Sequence, residues 1–236
     1  GLDRREGVVR GEHVVLGQGV EEGRLAGVGQ ADDSDGECHG RPLYGAVALP
    51  DESLRRVTPM RIATFNVNSI RSRIDRVEAL LERHDIDVIA IQETKARDDQ
   101  WPIMGLEAMG YEVVTHGYDQ WNGVAIASRV GISDVRRGFE GMPQWGEPMA
   151  SEARALGATC GGIQVWSLYV PNGRKPGDPH FKYKLEWLDR LRDSASGWVT
   201  EDPTAQIALT GDWNVAPFDE DVFDISRFAN STHVTP

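Results

Sequence analysis

Five polar side chains lie at or directly after the ends of apolar runs of the kind that form β-strands. They are Asn66, Glu93, Tyr169, Asp212 and Asn214. Ligands in layered α/β proteins gather at strand ends and in the adjoining loops. Two carboxylates, two amides and a phenol can together hold a hard divalent cation, orient a water molecule and donate to a phosphate oxygen.

Glu93 and Asn66 are the candidates for holding a cation. Glu93 follows the apolar run 86–91, and a carboxylate leaving a buried strand is costly unless it is paired. Hard cations bind carboxylate oxygen, and Asn66 would bind the same cation or orient Glu93. Two structural alternatives stay open: a solvated loop glutamate beside Lys95, and an asparagine that bonds only to backbone.

Asp212, Asn214 and Tyr169 are the candidates for acting on a phosphate. Residues two apart on an extended chain point the same way, so Asp212 and Asn214 would face one water molecule and one phosphate oxygen. A tyrosine hydroxyl directed into a cleft donates to a phosphoryl oxygen. The alternatives are an Asx turn at Asp212 and a tyrosine that serves only packing.

Basic, aromatic and amide residues in predicted loops could contact a phosphate backbone. The candidates are Arg71, Trp121, Asn122, Arg154 and Arg174. For any single arginine, a solvated surface position is the alternative.

The elements that must position these groups alternate between strand and helix. Segment 61–68 alternates as a strand does, and 86–91 is an apolar run typical of a strand covered on both faces. Between them, apolar residues recur at helical spacing, with Ser69 or Ser72 as the predicted N-cap. The apolar positions of this helix are Ile74, Val77, Leu80 and Leu81. Strand, helix, strand predicts a layered α/β sheet.

Further strands are predicted at 123–128, 163–170 and 206–210. A second amphipathic helix between the last two is predicted from a stripe of apolar residues with Trp187 beside it. The stripe consists of Phe181, Leu185, Leu188 and Leu191.

The amino-acid composition and net charge exclude several classes of protein. The 236 residues are 40% hydrophobic and 26% charged, as in ordinary globular chains, and no run approaches the roughly 18 apolar residues of a membrane span. Cys38 and Cys160 are too few for a disulfide framework, so a cytoplasmic location is expected. A net charge of -12 excludes a nucleic-acid binder coated in Lys and Arg.

Residues 1–59 differ from the rest of the chain. They contain eleven of the 26 glycines, no Lys, Phe or Trp, and Tyr44 as their single aromatic residue, so they are predicted to be disordered. The first Met is Met60, directly before the patterned region. Residues 1–59 are therefore expected to be either a flexible native extension or upstream sequence included through a mistaken start.

Several motifs occur in a fixed order from Met60 onward. They include Ser69-Ile70-Arg71, Gln92-Glu93-Thr94-Lys95, Gly123-Val124-Ala125-Ile126, Tyr169-Val170-Pro171-Asn172-Gly173 and Gly211-Asp212-Trp213-Asn214. This ordered set resembles the exodeoxyribonuclease III family, the abasic-site endonuclease branch of the endonuclease, exonuclease and phosphatase superfamily. The resemblance covers about three quarters of the chain.

The resemblance implies a four-layer α/β sandwich, two mixed sheets face to face with helices outside. It implies a monomeric, Mg²⁺-dependent phosphodiesterase, with Mn²⁺ as an alternative metal, that acts on double-stranded DNA. The expected activities are 3′-to-5′ exonuclease, abasic-site endonuclease and removal of 3′ blocking groups. No membrane partner is implied.

The resemblance also implies a role for each residue of the site. Glu93 would be the principal metal ligand with Asn66 beside it, and Tyr169 would contact the phosphate. Asp212 would position or deprotonate the attacking water, and Asn214 would orient Asp212 and the substrate.

The sequence departs from the family pattern after Asn214. The family's later metal-side Asp and its terminal Ser-Asp-His have no counterpart, and His233 lies in a different context. We therefore expect residues 60–236 to be a partial, C-terminally truncated domain that is inactive by itself. Trp213, where relatives often have Met, is expected to point away from the site. A catalytically incomplete DNA-binding fragment, or a phosphatase acting on a lipid or inositol phosphate, stays open as an alternative.

Overall fold

Eight β-strands and three α-helices make up the part of the chain that the computed structural model describes, residues 60–228 and 230–234. The strands are β1 (Ile62–Asn66), β2 (Val88–Gln92), β3 (Glu112–His116), β4 (Val124–Ser128), β5 (Ser133–Arg137), β6 (Ala155–Cys160), β7 (Ile163–Tyr169) and β8 (Ile207–Asp212). The helices are α1 (Ile74–His84), α2 (Met104–Ala108) and α3 (Pro179–Glu201). The predictions for residues 1–59 lie outside the described residues.

The strands form two mixed four-stranded sheets, ordered β1-β2-β4-β3 and β5-β6-β7-β8. Each sheet contains one parallel pair, β1 with β2 and β7 with β8. Parallel strands bring their carboxyl ends to the same edge of a sheet. Asn66 is therefore paired with Gln92, the residue before Glu93, and Tyr169 is paired with Asp212.

Three apolar clusters show the layering. Val77 of α1 packs with Ile89 of β2 in the first cluster, and Trp187 of α3 packs with Leu168 of β7 in the second. The third cluster lies between the sheets, where Val88 of β2 is among the residues packed with Val165 of β7. Helices thus cover the outer faces of two facing sheets, which confirms the predicted α/β sandwich.

A short polar link crosses the interior between the two sheets. The buried Gln92 side chain donates from Nε2 to Ser167 Oγ at 3.0 Å, and Ser167 Oγ donates to the Ile91 carbonyl at 2.9 Å. Thr64 Oγ1 donates to Gln92 Oε1 at 3.2 Å. Because buried polar groups are costly when unpaired, this link fixes how Gln92 and Ser167 face each other.

The five strands predicted from the sequence are all present, and β3, β5 and β6 were missed. All five residues of β5 are exposed, including Arg136 and Arg137, so no apolar alternation marks it. Strand β6 contains Gly157, where an added Cβ would lie 2.8 Å from the Trp166 ring. A glycine that makes room for a large neighbour hides the strand pattern.

The predicted N-cap of α1 is wrong. Residues Ile70–Ser72 form a 3-10 helix in front of α1, and the N-cap position falls to Arg73, which makes no side-chain cap. Ser72 Oγ instead donates to the carbonyl of Ser69 at 3.1 Å. Helix α3 begins as expected for a Pro at N1, with Asp178 Oδ1 accepting from His180 N at 2.8 Å.

The buried stripe of α3 also differs from the prediction. The stripe that packs on the second sheet includes Tyr183, Trp187 and Leu191, with Lys184 buried beside it, whereas Leu185 is 47% exposed. The aromatic side chains give the helix its packing surface, which the pattern of Leu residues did not indicate. None of the helices described in residues 60–228 and 230–234 has the length and apolar character needed to cross a membrane.

Candidate active site

The candidate residues from the two sheets meet at one edge of the sandwich. Asn66 Nδ2 donates to Asp212 Oδ2 at 2.8 Å, and Tyr169 OH donates to Glu93 Oε1 at 2.9 Å. Both bonds join a residue of the first sheet or its following loop to a strand end of the second sheet. The structure therefore brings these residues together, and Asn214 lies two residues after Asp212 at the same edge.

Backbone hydrogen bonds fix the loop that carries Glu93. The carbonyl of Glu93 accepts from Ser69 N at 2.8 Å, and Thr94 N donates to the carbonyl of Gly123 at 3.0 Å. Glu93 has a φ of 56°, a left-handed conformation that costs on the order of 1 kcal/mol or more for such a residue. A Cβ at Gly123 would lie 2.1 Å from Thr94 Oγ1, so only glycine allows this close approach. The backbone hydrogen bonds and the close approach at Gly123 therefore fix the backbone conformation from which the Glu93 side chain extends.

The donors around Glu93 fit a hard divalent cation. Glu93 offers a half-buried carboxylate, and Asn66 Oδ1 accepts one bond from Asn68 N at 3.0 Å and keeps a second lone pair. Lys95 Nζ lies 3.5 Å from Glu93 Oε1 and donates to Asn68 Oδ1 at 2.6 Å. In residues 60–228 and 230–234, no group of three or more His, Cys, Asp or Glu side chains comes together. One carboxylate with an amide oxygen suits Mg²⁺, which binds few protein ligands and keeps several waters.

Asp212 is held by hydrogen bonds to both of its oxygens. Oδ2 accepts from Asn66, and Oδ1 accepts from Asn214 N at 3.0 Å, which is an Asx turn. The predicted alternative, an Asx turn, is thus present together with the cross-sheet bond. Asn214 has a φ of 49°, as Asn tolerates, and donates from Nδ2 to the carbonyl of Val170 at 2.8 Å. Trp213, between them, packs against the cluster under α3 and points away from the site.

Tyr169 is a protonated hydrogen-bond donor at neutral pH. Burial, followed by the nearby charge of Glu93, raises the pKa of its hydroxyl above the usual range. The guanidinium of Arg154 lies over the ring, 4.8 Å from its centroid. A phenol held in this way can donate to a phosphate oxygen in place of Glu93.

Arg154 is buried, and its predicted contact with DNA is wrong. Its Nε donates to Glu152 Oε2 at 2.7 Å, and its side chain is 7% exposed. Glu152 also accepts from Asn122 Nδ2 at 2.8 Å and from Tyr183 OH at 2.9 Å. Burial alone would raise the pKa of Glu152, but Arg154 and the other donors hold it below its usual range. Arg154 therefore supports Tyr169 from behind, and Asn122 joins this network through its half-buried side chain.

The other predicted DNA contacts lie at the surface. Trp121 is 65% exposed. Arg71 lines a depression of about 300 Å³ together with Lys95 and Arg97, next to the Glu93 loop. Arg174 is exposed and lies 6.0 Å from the centroid of the Trp145 ring. These residues are accessible to a ligand, and their contact with DNA stays a prediction.

Three residues near Asn214 were missed from the sequence. Asn172 Nδ2 donates to Asn214 Oδ1 at 3.4 Å, and His233 Nε2 lies 3.1 Å from the same oxygen. Lys184 Nζ donates to the carbonyl of Asn214 at 2.6 Å. Asn172 could have been found within the Tyr169 motif. Lys184 and His233 had no local signal, and the fold, not the sequence spacing, brings them to the site.

The chain is similar to known nucleases in sequence. The model of the endonuclease/exonuclease/phosphatase family matches residues 63–235. The chain is 29% identical to exodeoxyribonuclease III of Haemophilus influenzae over 164 residues, which is 69% of this chain and 60% of that protein. It is also 29% identical to an exodeoxyribonuclease of Bacillus subtilis over 165 residues, 66% of this chain and 59% of that protein. The chain thus spans about 60% of the length of these relatives.

Solved structures of nucleases are also similar to this chain. An AP endonuclease from Archaeoglobus fulgidus aligns with a TM-score of 0.66 at 38% identity, over 74% of this chain and 65% of that one. A 3′-5′ exonuclease from Neisseria meningitidis aligns with a TM-score of 0.66 at 34% identity, over 74% and 65%. A 3′ phosphatase from Neisseria, solved with a product DNA hairpin, aligns with a TM-score of 0.65 at 34% identity, over 72% and 63%. Together with the match over residues 63–235, these likenesses confirm the resemblance, and the chain belongs to the endonuclease/exonuclease/phosphatase family.

Proposed function

We propose that this chain carries the site of a Mg²⁺-dependent phosphodiesterase that repairs double-stranded DNA. The observation that carries the proposal is the pair of cross-sheet hydrogen bonds, Asn66 to Asp212 and Tyr169 to Glu93. These bonds support the proposal because they hold two carboxylates, an amide and a phenol side by side. Relatives named exodeoxyribonuclease, AP endonuclease and 3′ phosphatase support DNA as the substrate.

Glu93 and Asn66 would hold the divalent cation. When bound there, the cation would neutralise charge on the phosphate and stabilise the leaving 3′ oxygen. Glu93 is prepared for this role because backbone hydrogen bonds fix the loop that carries it, while Tyr169 and Lys95 contact its carboxylate. Mn²⁺ uses the same oxygen donors and is expected to replace Mg²⁺.

Asp212 would act on the attacking water. Each carboxylate oxygen already accepts one hydrogen bond, from Asn66 and from the backbone of Asn214, and keeps a lone pair for the water proton. The carboxylate is thus fixed in direction and still free to accept. Tyr169 would move its hydroxyl hydrogen bond from Glu93 to an oxygen of the phosphate, and Asn214 would hold Asp212 and the substrate in place.

DNA with 3′ ends or abasic sites is the proposed substrate, with 3′-to-5′ exonuclease, abasic endonuclease and 3′ end-cleaning activities. The surface residues Arg71, Trp121 and Arg174 would contact its backbone, acting as positioning contacts. A chain with net charge -12 repels DNA at long range, so local positive groups and the cation must outweigh that charge. We propose that the protein acts as a monomer in the cytoplasm.

The test compares DNA with an inositol phosphate. This chain and the complete product of its gene are incubated with Mg²⁺, Mn²⁺ or EDTA and a duplex carrying one abasic site, a duplex ending in a 3′ phosphate, or an inositol phosphate. Metal-dependent cleavage of either duplex, lost in Glu93→Gln and kept in the exposed control Glu82→Gln, supports the proposal. Hydrolysis of the inositol phosphate alone, or no DNA cleavage by the complete product, contradicts it.

A further inference from the structure

We propose that Lys184 and His233 are positioning residues that together set the orientation of the Asn214 amide. The proposal rests on the proposed function, in which Asn214 holds Asp212 and the substrate. Neither residue is required to touch DNA or the cation. We call Lys184, Thr232 and His233 with their contacts to Asn214 and Asn172 the Asn214 clip.

Lys184 is an interior lysine whose charge is used to hold backbone. It is 1% exposed, although lysines are almost never fully buried without partners. Its Nζ donates to the carbonyl of Asn214 at 2.6 Å and to the carbonyl of Thr232 at 2.7 Å. Burial lowers the pKa of Lys184 to about 8, which still leaves the ammonium as the major form at neutral pH. One ammonium on α3 therefore ties the loop after β8 to the segment 230–234.

The segment 230–234 is tied to the site at further points. Thr232, 2% exposed, donates from Oγ1 to the carbonyl of Asn172 at 2.6 Å. The carbonyl of His233 accepts from Ala216 N at 2.9 Å. These bonds, with the one from Lys184, hold the backbone on either side of the His233 ring. The ring is thus carried to Asn214 by backbone contacts.

The hydrogen bonds of Asn214 select one tautomer of His233. Asn214 Nδ2 donates to the carbonyl of Val170, so Oδ1 must face His233 Nε2. Because Oδ1 only accepts, a hydrogen bond between the two atoms needs the hydrogen on Nε2. Asn172 Nδ2 also lies 3.2 Å from Nε2, and in this tautomer it donates to Asn214 Oδ1 and not to the ring. His233 Nδ1 lies 2.7 Å from Ser231 Oγ and accepts from that hydroxyl. Burial, and then the charge of Lys184, lowers the pKa of His233, which favours the neutral ring that this arrangement requires.

The clip acts on catalysis through Asn214. The backbone N of Asn214 donates to Asp212 Oδ1, so a shift of Asn214 also turns the carboxylate that would act on water. Small displacements of such a group lower the rate of the chemical step more than they weaken binding of substrate. We therefore expect loss of the clip to lower kcat and to leave KM nearly unchanged.

The first measurement follows the ring of His233 and does not depend on catalysis. Nitrogen-15 NMR of the imidazole reports which nitrogen carries the hydrogen. The expected result is the Nε2–H tautomer in the unmodified chain and in Lys182→Met, an exposed lysine on the same helix, and a mixture of tautomers in Lys184→Met. An Nδ1–H ring in the unmodified chain, or an unchanged ring in Lys184→Met, would overturn the clip.

The second measurement is steady-state cleavage of the abasic duplex by whichever form of the protein cleaves DNA. We expect Lys184→Met and His233→Phe to lower kcat by about 10- to 100-fold with KM within about twofold, as for loss of supporting residues around a site. His233→Gln, whose amide can donate to Asn214 Oδ1, should restore most of kcat. Equal kcat in Lys184→Met and Lys182→Met, or equal loss in His233→Gln and His233→Phe, contradicts the positioning role.

The two measurements separate failure of the clip from failure of the proposed function. If no protein form cleaves DNA, the proposed function fails, and the tautomer of His233 and its dependence on Lys184 still decide the clip. If Lys184→Met does not fold, as circular dichroism would show, the half-buried His233 and its Gln and Phe variants carry the test.

Discussion

The two sheets hold their halves of the site by different means. On the first sheet, Glu93 is positioned by backbone hydrogen bonds between neighbouring loops, such as Ser69 N to Glu93 O. On the second sheet, Asp212, Asn214 and Tyr169 are positioned mainly by side chains, including the buried charges of Arg154 and Lys184. A main-chain scaffold tolerates substitution of its side chains, whereas a side-chain scaffold depends on each member. The second half should therefore be the more sensitive to pH and to substitution of the residues that support the site.

The largest expected effect is on the first half of the site. Glu93→Gln removes the carboxylate that would hold the cation, so cleavage of the abasic duplex should fall by at least about 10⁴-fold, since a metal ion contributes several kcal/mol to charge stabilisation. Titration with Mn²⁺, followed by its paramagnetic resonance signal, should show weakened binding. If Glu93→Gln bound Mn²⁺ as tightly as the unmodified protein, Glu93 would not be a ligand of the cation. Glu82→Gln, on the exposed face of α1, is the control.

Asp212→Asn should give the next largest effect. The amide keeps the size of the side chain and one acceptor oxygen but cannot take a proton from water, so the rate should fall by about 10³-fold, within the range for a general base. Binding of Mn²⁺ should stay within a few fold of the unmodified protein. The exposed Asp219→Asn is the control, and retention of most activity in Asp212→Asn would contradict its assignment.

Tyr169→Phe should have a smaller effect on the rate. Loss of one donor to the phosphate is expected to cost about 10²-fold in kcat. Because burial, and then Glu93, raises the pKa of the Tyr169 hydroxyl, the unmodified protein should show no loss of activity from ionisation of this group up to about pH 10, the ordinary pKa of tyrosine. Kinetics at several pH values test this, with the exposed Tyr118→Phe as control. A decline below pH 10 that Tyr169→Phe removes would contradict it.

The smallest expected effect is on stability in mild acid. Burial is the first cause that lowers the pKa of His180 and His233 in the second half and of His116 in the first. The unfolded chain then binds more protons than the folded one below about pH 6.5, so stability present above that pH is lost as the pH falls through the folded pKa values. Protonation would also remove the Nδ1 acceptor that His180 offers to Gly173 N at 3.1 Å.

Thermal unfolding between pH 7 and pH 5 measures this effect. His180→Asn should reduce the dependence of Tm on pH, because the substituted side chain does not titrate there. His116→Asn should reduce it less, since the described residues give His116 no comparable hydrogen bond. If His116→Asn reduced the pH dependence of Tm more than His180→Asn does, the first half of the site would be the more sensitive to pH, and the prediction would be contradicted.

The sequence predicted the first half of the molecule better than the second, for a physical reason. Strands β1, β2 and β4 are continuous or alternating apolar segments, because both faces of β2 and β4 are buried. Strand β5 is wholly exposed, and β6 is buried but consists largely of small residues around Gly157, so neither has the run of large β-branched side chains that marks a strand in the sequence. A wholly exposed strand and a buried strand of small residues both lack the usual sequence pattern, and pairing with their neighbours specifies these two strands.

The site could be predicted where chemistry and strand ends coincide. Asn66, Glu93, Tyr169, Asp212 and Asn214 stand at such ends, and the register of the parallel pairs places them at one edge. Lys184 and His233 could not be predicted, because a lysine in a helix and a histidine after a loop are ordinary surface residues until the fold is known. Arg154 was misassigned for the same reason, since its partner Glu152 hides it from solvent.

The buried link between Gln92 and Ser167 has a consequence for how the two sheets align. If one sheet slid past the other by one residue, both polar groups would face apolar side chains, at a cost of about 1–3 kcal/mol for each unpaired group. Apolar side chains at both positions would pack in several alignments with similar energy. The Gln92 amide and the Ser167 hydroxyl therefore destabilise shifted alignments of the two sheets more than they stabilise the native alignment. Because Glu93 directly follows Gln92 and Tyr169 lies two residues after Ser167, the same discrimination keeps the two halves of the site opposite each other.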